Sequence, residues 1–88
     1  LYKKNIMQLS IEISKYPLTP NYIPEIQSFI DRLNTYPTIK VLTNTMSTQI
    51  FGEYDDVMTA LKNEMKTSFE KDVKQIMVVK FINSDLRP

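Results

Sequence analysis

The chain of 88 residues contains no cysteine, no histidine, no tryptophan and a single glycine. Without cysteine there are no disulfides and no thiolate metal sites, and without histidine there are no imidazole ligands and no nucleophilic triads of the Ser/His or Cys/His kind. One glycine cannot build a glycine-rich phosphate cradle or a dinucleotide fingerprint. An excess of charge of one sign is also missing: 11 Lys and Arg oppose 10 Asp and Glu for a net charge of +1, and the basic residues are scattered rather than gathered into a stripe. No nucleic-acid partner is indicated. No apolar run approaches the ~18 residues of a membrane span, and Leu1-Tyr2-Lys3-Lys4 lacks the apolar stretch of a secretory signal, so no membrane association and a cytoplasmic location are expected. The chain does not begin with methionine, which hints that a few residues have been removed.

What is present is ordinary for one globular domain over residues 1–88: 42% hydrophobic and 24% charged. A core of this size supplies only about 3–5 kcal/mol of net stability, and with disulfides and metal excluded, oligomerisation is the expected supplement.

Periodicity orders the elements. From Ile6 to Ser14, apolar Met7, Leu9, Ile11 and Ile13 alternate with polar residues, the signature of a strand with one buried face. Pro17 and Pro20 break it into a loop. Ile23, Ile26, Phe29, Ile30 and Leu33 fall at helical spacing, opposite Glu25, Gln27, Ser28, Asp31 and Arg32, with Pro24 tolerable in the first turn. Ile39, Val41 and Thr43 start a second alternating run. After a turn near Asn44 and Thr45 it returns as Met46 to Phe51, a hairpin. Asp55 and Asp56 are expected to cap a second helix, whose apolar stripe is Val57, Leu61 and Met65, widened by Ala60 and Phe69. The strand Gln75 to Ile82 lacks clean alternation and is expected to be central and doubly covered. The order strand, helix, strand, strand, helix, strand predicts an α+β, ferredoxin-like βαββαβ domain, a four-stranded antiparallel sheet with two helices on one face. Its other face is open and calls for a partner or ligand.

Chemistry-bearing residues are few. Asp55 and Asp56 are better explained as helix-start residues than as a carboxylate pair, and no EF-hand-like ligand series occurs. Gly52 has two readings, a hinge into the second helix or a gap admitting a ligand. Ser10, Asn44, Ser47 and Thr48 are small polar residues on or beside strands, and could converge near the sheet centre. Two readings stand at this point: hydroxyls filling a solvated or oligomer-facing sheet, or a ligand site.

The segment Asn44 to Val57 resembles the Met-Ser-Thr-x-Ile-x-Gly-x-x-Asp-x-Val signature of the thiamine-binding, YkoF-like family. Ser14-Lys15-Tyr16-Pro17-Leu18 is similar to that family's Ser-x-Tyr-Pro-Leu strand ending, and Phe69 lies where the family carries an aromatic. With the order of elements, the resemblance spans nearly the whole domain. It implies non-enzymatic binding of thiamine or its hydroxymethylpyrimidine part by a homodimer or homotetramer packed through the open sheets, with no cofactor or metal. Carried onto this chain it implies Asn44, Ser47 and Thr48 as polar lining, with Ser10 added from the neighbouring strand. The Asn44 amide could match an aminopyrimidine edge with both its groups. Tyr16, Phe51 or Phe69 could lie against the ring, although each is more readily explained by packing, as is Met46. A thiazolium would favour an aromatic or a carboxylate such as Glu12 or Glu53. The competing expectation is an oligomeric structural or interaction protein with no small-molecule ligand. An enzyme ranks below both, since the remaining carboxylate, Lys and Tyr side chains form no recognisable constellation.

Overall fold

The computed structural model describes residues 6–88, so Leu1 to Lys4, read above for a signal stretch, lie outside the described residues. The elements are β1 (Gln8–Pro17), α1 (Ile23–Leu33), β2 (Lys40–Thr43), β3 (Thr48–Glu53), α2 (Tyr54–Phe69) and β4 (Gln75–Ile82). They form one four-stranded sheet in the order β2-β3-β1-β4 with every neighbouring pair antiparallel. This is the expected ferredoxin-like βαββαβ arrangement.

Register separates the side chains into two sets. Ile11 pairs with Ile50 and Phe81, and Ile13 with Thr48 and Val79, so these residues share one face. Leu9, Ile11, Ile13 and Ile50 are buried there against Phe29 and Leu33 of α1 and Val57, Ala60 and Leu61 of α2. Ser10 pairs with Phe51 and Ile82, and Glu12 with Gln49 and Lys80, on the opposite, helix-free face.

Several local expectations are corrected. β4 is an edge strand, not a central one, and its Ile76, Val78 and Ile82 are about half exposed on the helix-free face. Its apolar run reflects a strand wet on one face in the single chain rather than one covered twice. The cap of α2 is Glu53, whose carboxylate accepts hydrogen bonds from the Asp55 and Asp56 backbone N–H groups at 3.1 and 3.3 Å. The two aspartates sit in the first turn, where their charge favours the positive helix end.

The buried line of α2 runs through Val57, Ala60, Leu61, Glu64 and Ser68, while Phe69 is 48% exposed. It is rotated from the expected apolar stripe because Arg32 of α1 turns inward. Its guanidinium donates to Glu64 Oε1 at 2.7 Å, Ser28 Oγ at 2.6 Å and Ser68 Oγ at 2.9 Å. Tyr36 donates its hydroxyl to Glu64 Oε2 at 2.6 Å, which pushes the phenol pKa upward. Buried polar atoms that find partners in this way avoid the desolvation penalty of an unpaired group.

Gly52 has no left-handed φ, so it is not a conformational hinge. A Cβ there would come within 3.2 Å of Val57 Cγ2 and 3.3 Å of the Thr38 carbonyl oxygen. Glycine therefore permits β3 to pack closely against the start of α2 and the loop before β2, and the gap is filled by protein.

Candidate functional site

The four residues singled out from sequence divide between the two faces. Thr48, 5% exposed, continues the inward phase of β3, and its hydroxyl lies 3.4 Å from that of Thr43 across the hairpin. Asn44 and Ser47 belong to the four-residue turn joining Thr43 to Thr48. These three line a pocket of about 80 Å³ between α1 and the hairpin, floored by Ile13, Lys15 and Phe29. Ser10 is not part of it. One residue's difference in strand phase sends a side chain to the other face.

Asn44 already has work in the turn. Its side-chain oxygen accepts from the Met46 and Ser47 backbone N–H groups, each at 2.9 Å, and its own N–H donates to the Ser47 carbonyl at 3.0 Å. This Asx-type turn consumes the carbonyl half of the amide, so in this conformation Asn44 can offer a ligand its amide N–H donors rather than both groups. Ser47 borders the pocket, but it donates its hydroxyl to Glu12 Oε2 at 2.9 Å, which turns that hydroxyl toward the helix-free face. Met46 is 84% exposed at the turn tip rather than in the core, because the turn is longer than Asn44-Thr45 and takes in Met46 and Ser47.

Two pocket residues escaped the sequence reading. Lys15 follows Leu9, Ile11 and Ile13 in the inward phase of β1, which places an ammonium group among apolar side chains. It is 9% exposed, donates to the Glu25 carbonyl oxygen at 2.9 Å, and lies 5.0 Å from the centre of the Phe29 ring. Burial lowers its pKa from 10.5 to about 8, since desolvation penalises the charged form. The period-two phase alone could have flagged it: a lysine where the next buried residue should fall. Phe29 was legible as a buried helix residue but not as a pocket wall. Of the aromatics proposed for ring contact, Tyr16 is exposed at the end of β1, Phe51 is buried on the helix-free face, and Phe69 borders a separate depression with Lys71 to Gln75. None reaches this pocket.

The helix-free face has its own concavity of about 450 Å³, lined by Ser10, Glu12, Gln49, Phe51, Lys80 and Leu86 among others. Ser10 is buried because the segment after β4 crosses it: Ser10 Oγ donates to the Ser84 carbonyl oxygen at 2.7 Å and accepts from the Leu86 N–H at 2.9 Å. Its polar groups are thus satisfied by the chain itself. Glu12 lies 3.5 Å from Lys80 Nζ, and the Ser47 hydroxyl, with Lys80 assisting, holds its carboxyl below the usual carboxylate range. Glu53, the other candidate partner for a cation, is occupied as the α2 cap. Among the described residues no cluster of three or more acidic side chains could hold a metal ion, and no helix is long and apolar enough to cross a membrane.

A four-stranded βαββαβ domain, with helices over one face and a small polar-ended pocket beneath its β2–β3 hairpin, defines the structural class. Residues 8–84 match the profile of the YkoF-related family, and the chain belongs to that family. Among solved structures it is similar to a hypothetical protein of Methanocaldococcus jannascii, with a TM-score of 0.73 and 23% identity over 92% of this chain and 84% of that one. It is also similar to a Thermotoga maritima protein described provisionally as a thiamine biosynthesis/salvage protein, with a TM-score of 0.69 and 14% identity over 91% and 89% of the two chains. A Streptococcus pneumoniae protein gives a TM-score of 0.69 and 23% identity over 91% and 90%. At these identities the structural likenesses establish the shared fold alone. No protein of curated function matches the sequence.

Proposed function

We propose that this chain binds thiamine or its hydroxymethylpyrimidine part without transforming it, acting in the cytoplasm as a homo-oligomer joined through the helix-free sheet face. The observation that carries the reading is that Asn44, Ser47 and Thr48, the residues to which the family signature points, line one pocket together with Phe29 and Lys15. An aminopyrimidine presents ring-nitrogen acceptors beside an amino donor. Asn44 supplies N–H donors, the Thr43 and Thr48 hydroxyls can accept or donate, and Phe29 with Ile26 and Ile30 supplies apolar walls. The non-enzymatic part rests on a sequence with neither histidine nor cysteine. The oligomer rests on Ile76, Val78 and Ile82, whose exposed side chains form an apolar stripe on the helix-free face.

At about 80 Å³ the pocket is smaller than the roughly 300–1,000 Å³ of most ligand sites, so binding in it entails outward movement of the turn over residues 44–47. The small volume equally favours a second reading, an assembly protein with no small-molecule ligand. Calorimetric titration with thiamine and with hydroxymethylpyrimidine separates the two. The binding reading predicts saturable heat with at least one compound, and affinity at least tenfold weaker in Thr48→Val, as expected when a buried hydrogen-bonding group worth about 1–3 kcal/mol is removed. Absence of heat with both compounds rejects it in favour of the assembly protein.

A further inference from the structure

Among the described residues Lys15 is the one charged side chain lining the pocket; the Glu25 carboxylate outside the lining attracts it, but Arg32 and Lys71 act on it with the opposite sign, so the surroundings stay net positive. Its ammonium is tethered from the α1 side by the Glu25 carbonyl oxygen at 2.9 Å and rests over the Phe29 ring. The nearest acid is shared and the others are engaged elsewhere. Glu25 Oε2 lies 3.2 Å from Lys71 Nζ, Glu12 holds Ser47 and Lys80 on the other side of the sheet, and Glu53 caps α2. The aromatic face that could attract a ligand cation is already shared with a lysine of the protein.

A site with this electrostatic make-up discriminates by charge. Thiamine carries a quaternary thiazolium, a fixed positive charge joined to the aminopyrimidine, whereas free hydroxymethylpyrimidine is uncharged near neutral pH. Like charges brought together in a partly desolvated site repel far more than in water. We infer that Lys15 sets the ligand choice of this pocket, favouring the uncharged hydroxymethylpyrimidine over the cationic vitamin. The inference rests on the pyrimidine-binding reading above and narrows it. An apolar residue of similar length at position 15 would leave the shape of the site nearly unchanged and remove the repulsion.

Calorimetry on the wild-type chain with the two compounds, and on Lys15→Met and Lys15→Arg, tests this. The expected result is wild-type affinity for hydroxymethylpyrimidine at least tenfold above that for thiamine, equivalent to about 1.4 kcal/mol. Lys15→Met should shrink that ratio by most of the tenfold through gained thiamine affinity, and Lys15→Arg should keep it. Wild-type affinity for thiamine equal to or above that for hydroxymethylpyrimidine overturns the role of Lys15 while leaving pyrimidine binding intact. A ratio unchanged in folded Lys15→Met overturns it too. If neither compound binds, both the inference and the reading beneath it fall. The wild-type ratio decides the matter even where Lys15→Met does not fold.

Discussion

The two faces of the sheet are built from the same strands and end in opposite states. Under the helices, Leu9, Ile11, Ile13 and Ile50 meet Phe29, Leu33 and Val57 in a core less than 5% exposed at each position, and the inward phase finishes in Lys15 and Thr48 at a pocket. On the other face, the central polar residues are satisfied within the chain, Ser10 by the segment after β4 and Glu12 by Ser47 and Lys80. The apolar β4 side chains there remain exposed. The first face carries the stability and the candidate ligand site; the second carries an exposed apolar stripe, the surface proposed above for another copy. A change on one face should therefore leave the property of the other largely untouched.

The strongest way to break that division is Leu33→Ala, at a residue with no exposed surface. It should cost about 2–5 kcal/mol, read as a fall in the urea midpoint with unchanged m-value, and leave the chain near or below its folding threshold. Glu64→Ala comes next, since it strips partners from both Arg32 and Tyr36. A loss of about 2–3 kcal/mol is expected, and the Tyr36 phenol, raised by Glu64, should titrate at lower pH when followed by ultraviolet absorbance.

Lys15 sharpens the comparison through pH. Its folded pKa of about 8 lies below the unfolded 10.5, so across that window the unfolded chain holds a proton the folded one has released, and stability rises with pH. The gain should be about 1 kcal/mol between pH 7.5 and 9.5, below the roughly 1.8 kcal/mol of full linkage over that interval because solvent partly reaches the group. Lys15→Met should abolish it. Tyr36 acts with the opposite sign, its stabilisation fading above about pH 10, which is why the comparison belongs below that pH.

Two smaller effects concern the helix-free face. Ser10→Ala should cost about 1 kcal/mol by releasing the segment at Ser84 and Leu86, seen as faster hydrogen exchange at the Leu86 amide. Val78→Asp, at a half-exposed position, should change unfolding of the isolated chain by less than about 0.5 kcal/mol. Under the oligomer proposal it should lower the solution mass measured by light scattering; an unchanged assembly would place the interface elsewhere.

Element order, the strand and helix types and the βαββαβ class could be read from periodicity because each element buries one side and its apolar spacing records which. The hairpin was legible in the alternating runs from Ile39 to Thr43 and from Met46 to Phe51, and α2 in the spacing of Val57, Leu61 and Met65. What could not be read were properties set by neighbours rather than by local pattern. The apolar run of β4 looks the same whether it is covered twice or left at an edge. The inward rotation of Arg32 depends on Glu64 and Ser68, 32 and 36 residues away. Among candidate site residues, Asn44, Ser47 and Thr48 border one pocket, whereas Ser10 lies on the other face, toward which the Ser47 hydroxyl also turns, and Asn44 spends half its amide on its own turn. Lys15 was visible only as the middle of a strand ending, although its phase pointed inward.

Where a pyrimidine meets the chain is the most direct test. Amide chemical shifts followed during titration with hydroxymethylpyrimidine should move at Lys15, Phe29 and Thr43 to Thr48, with Ser10, Phe51 and Ile82 nearly still. Shifts concentrated at Ser10, Phe51 and Ile82 instead would contradict the pocket beneath the hairpin and put the ligand on the opposite face of the sheet.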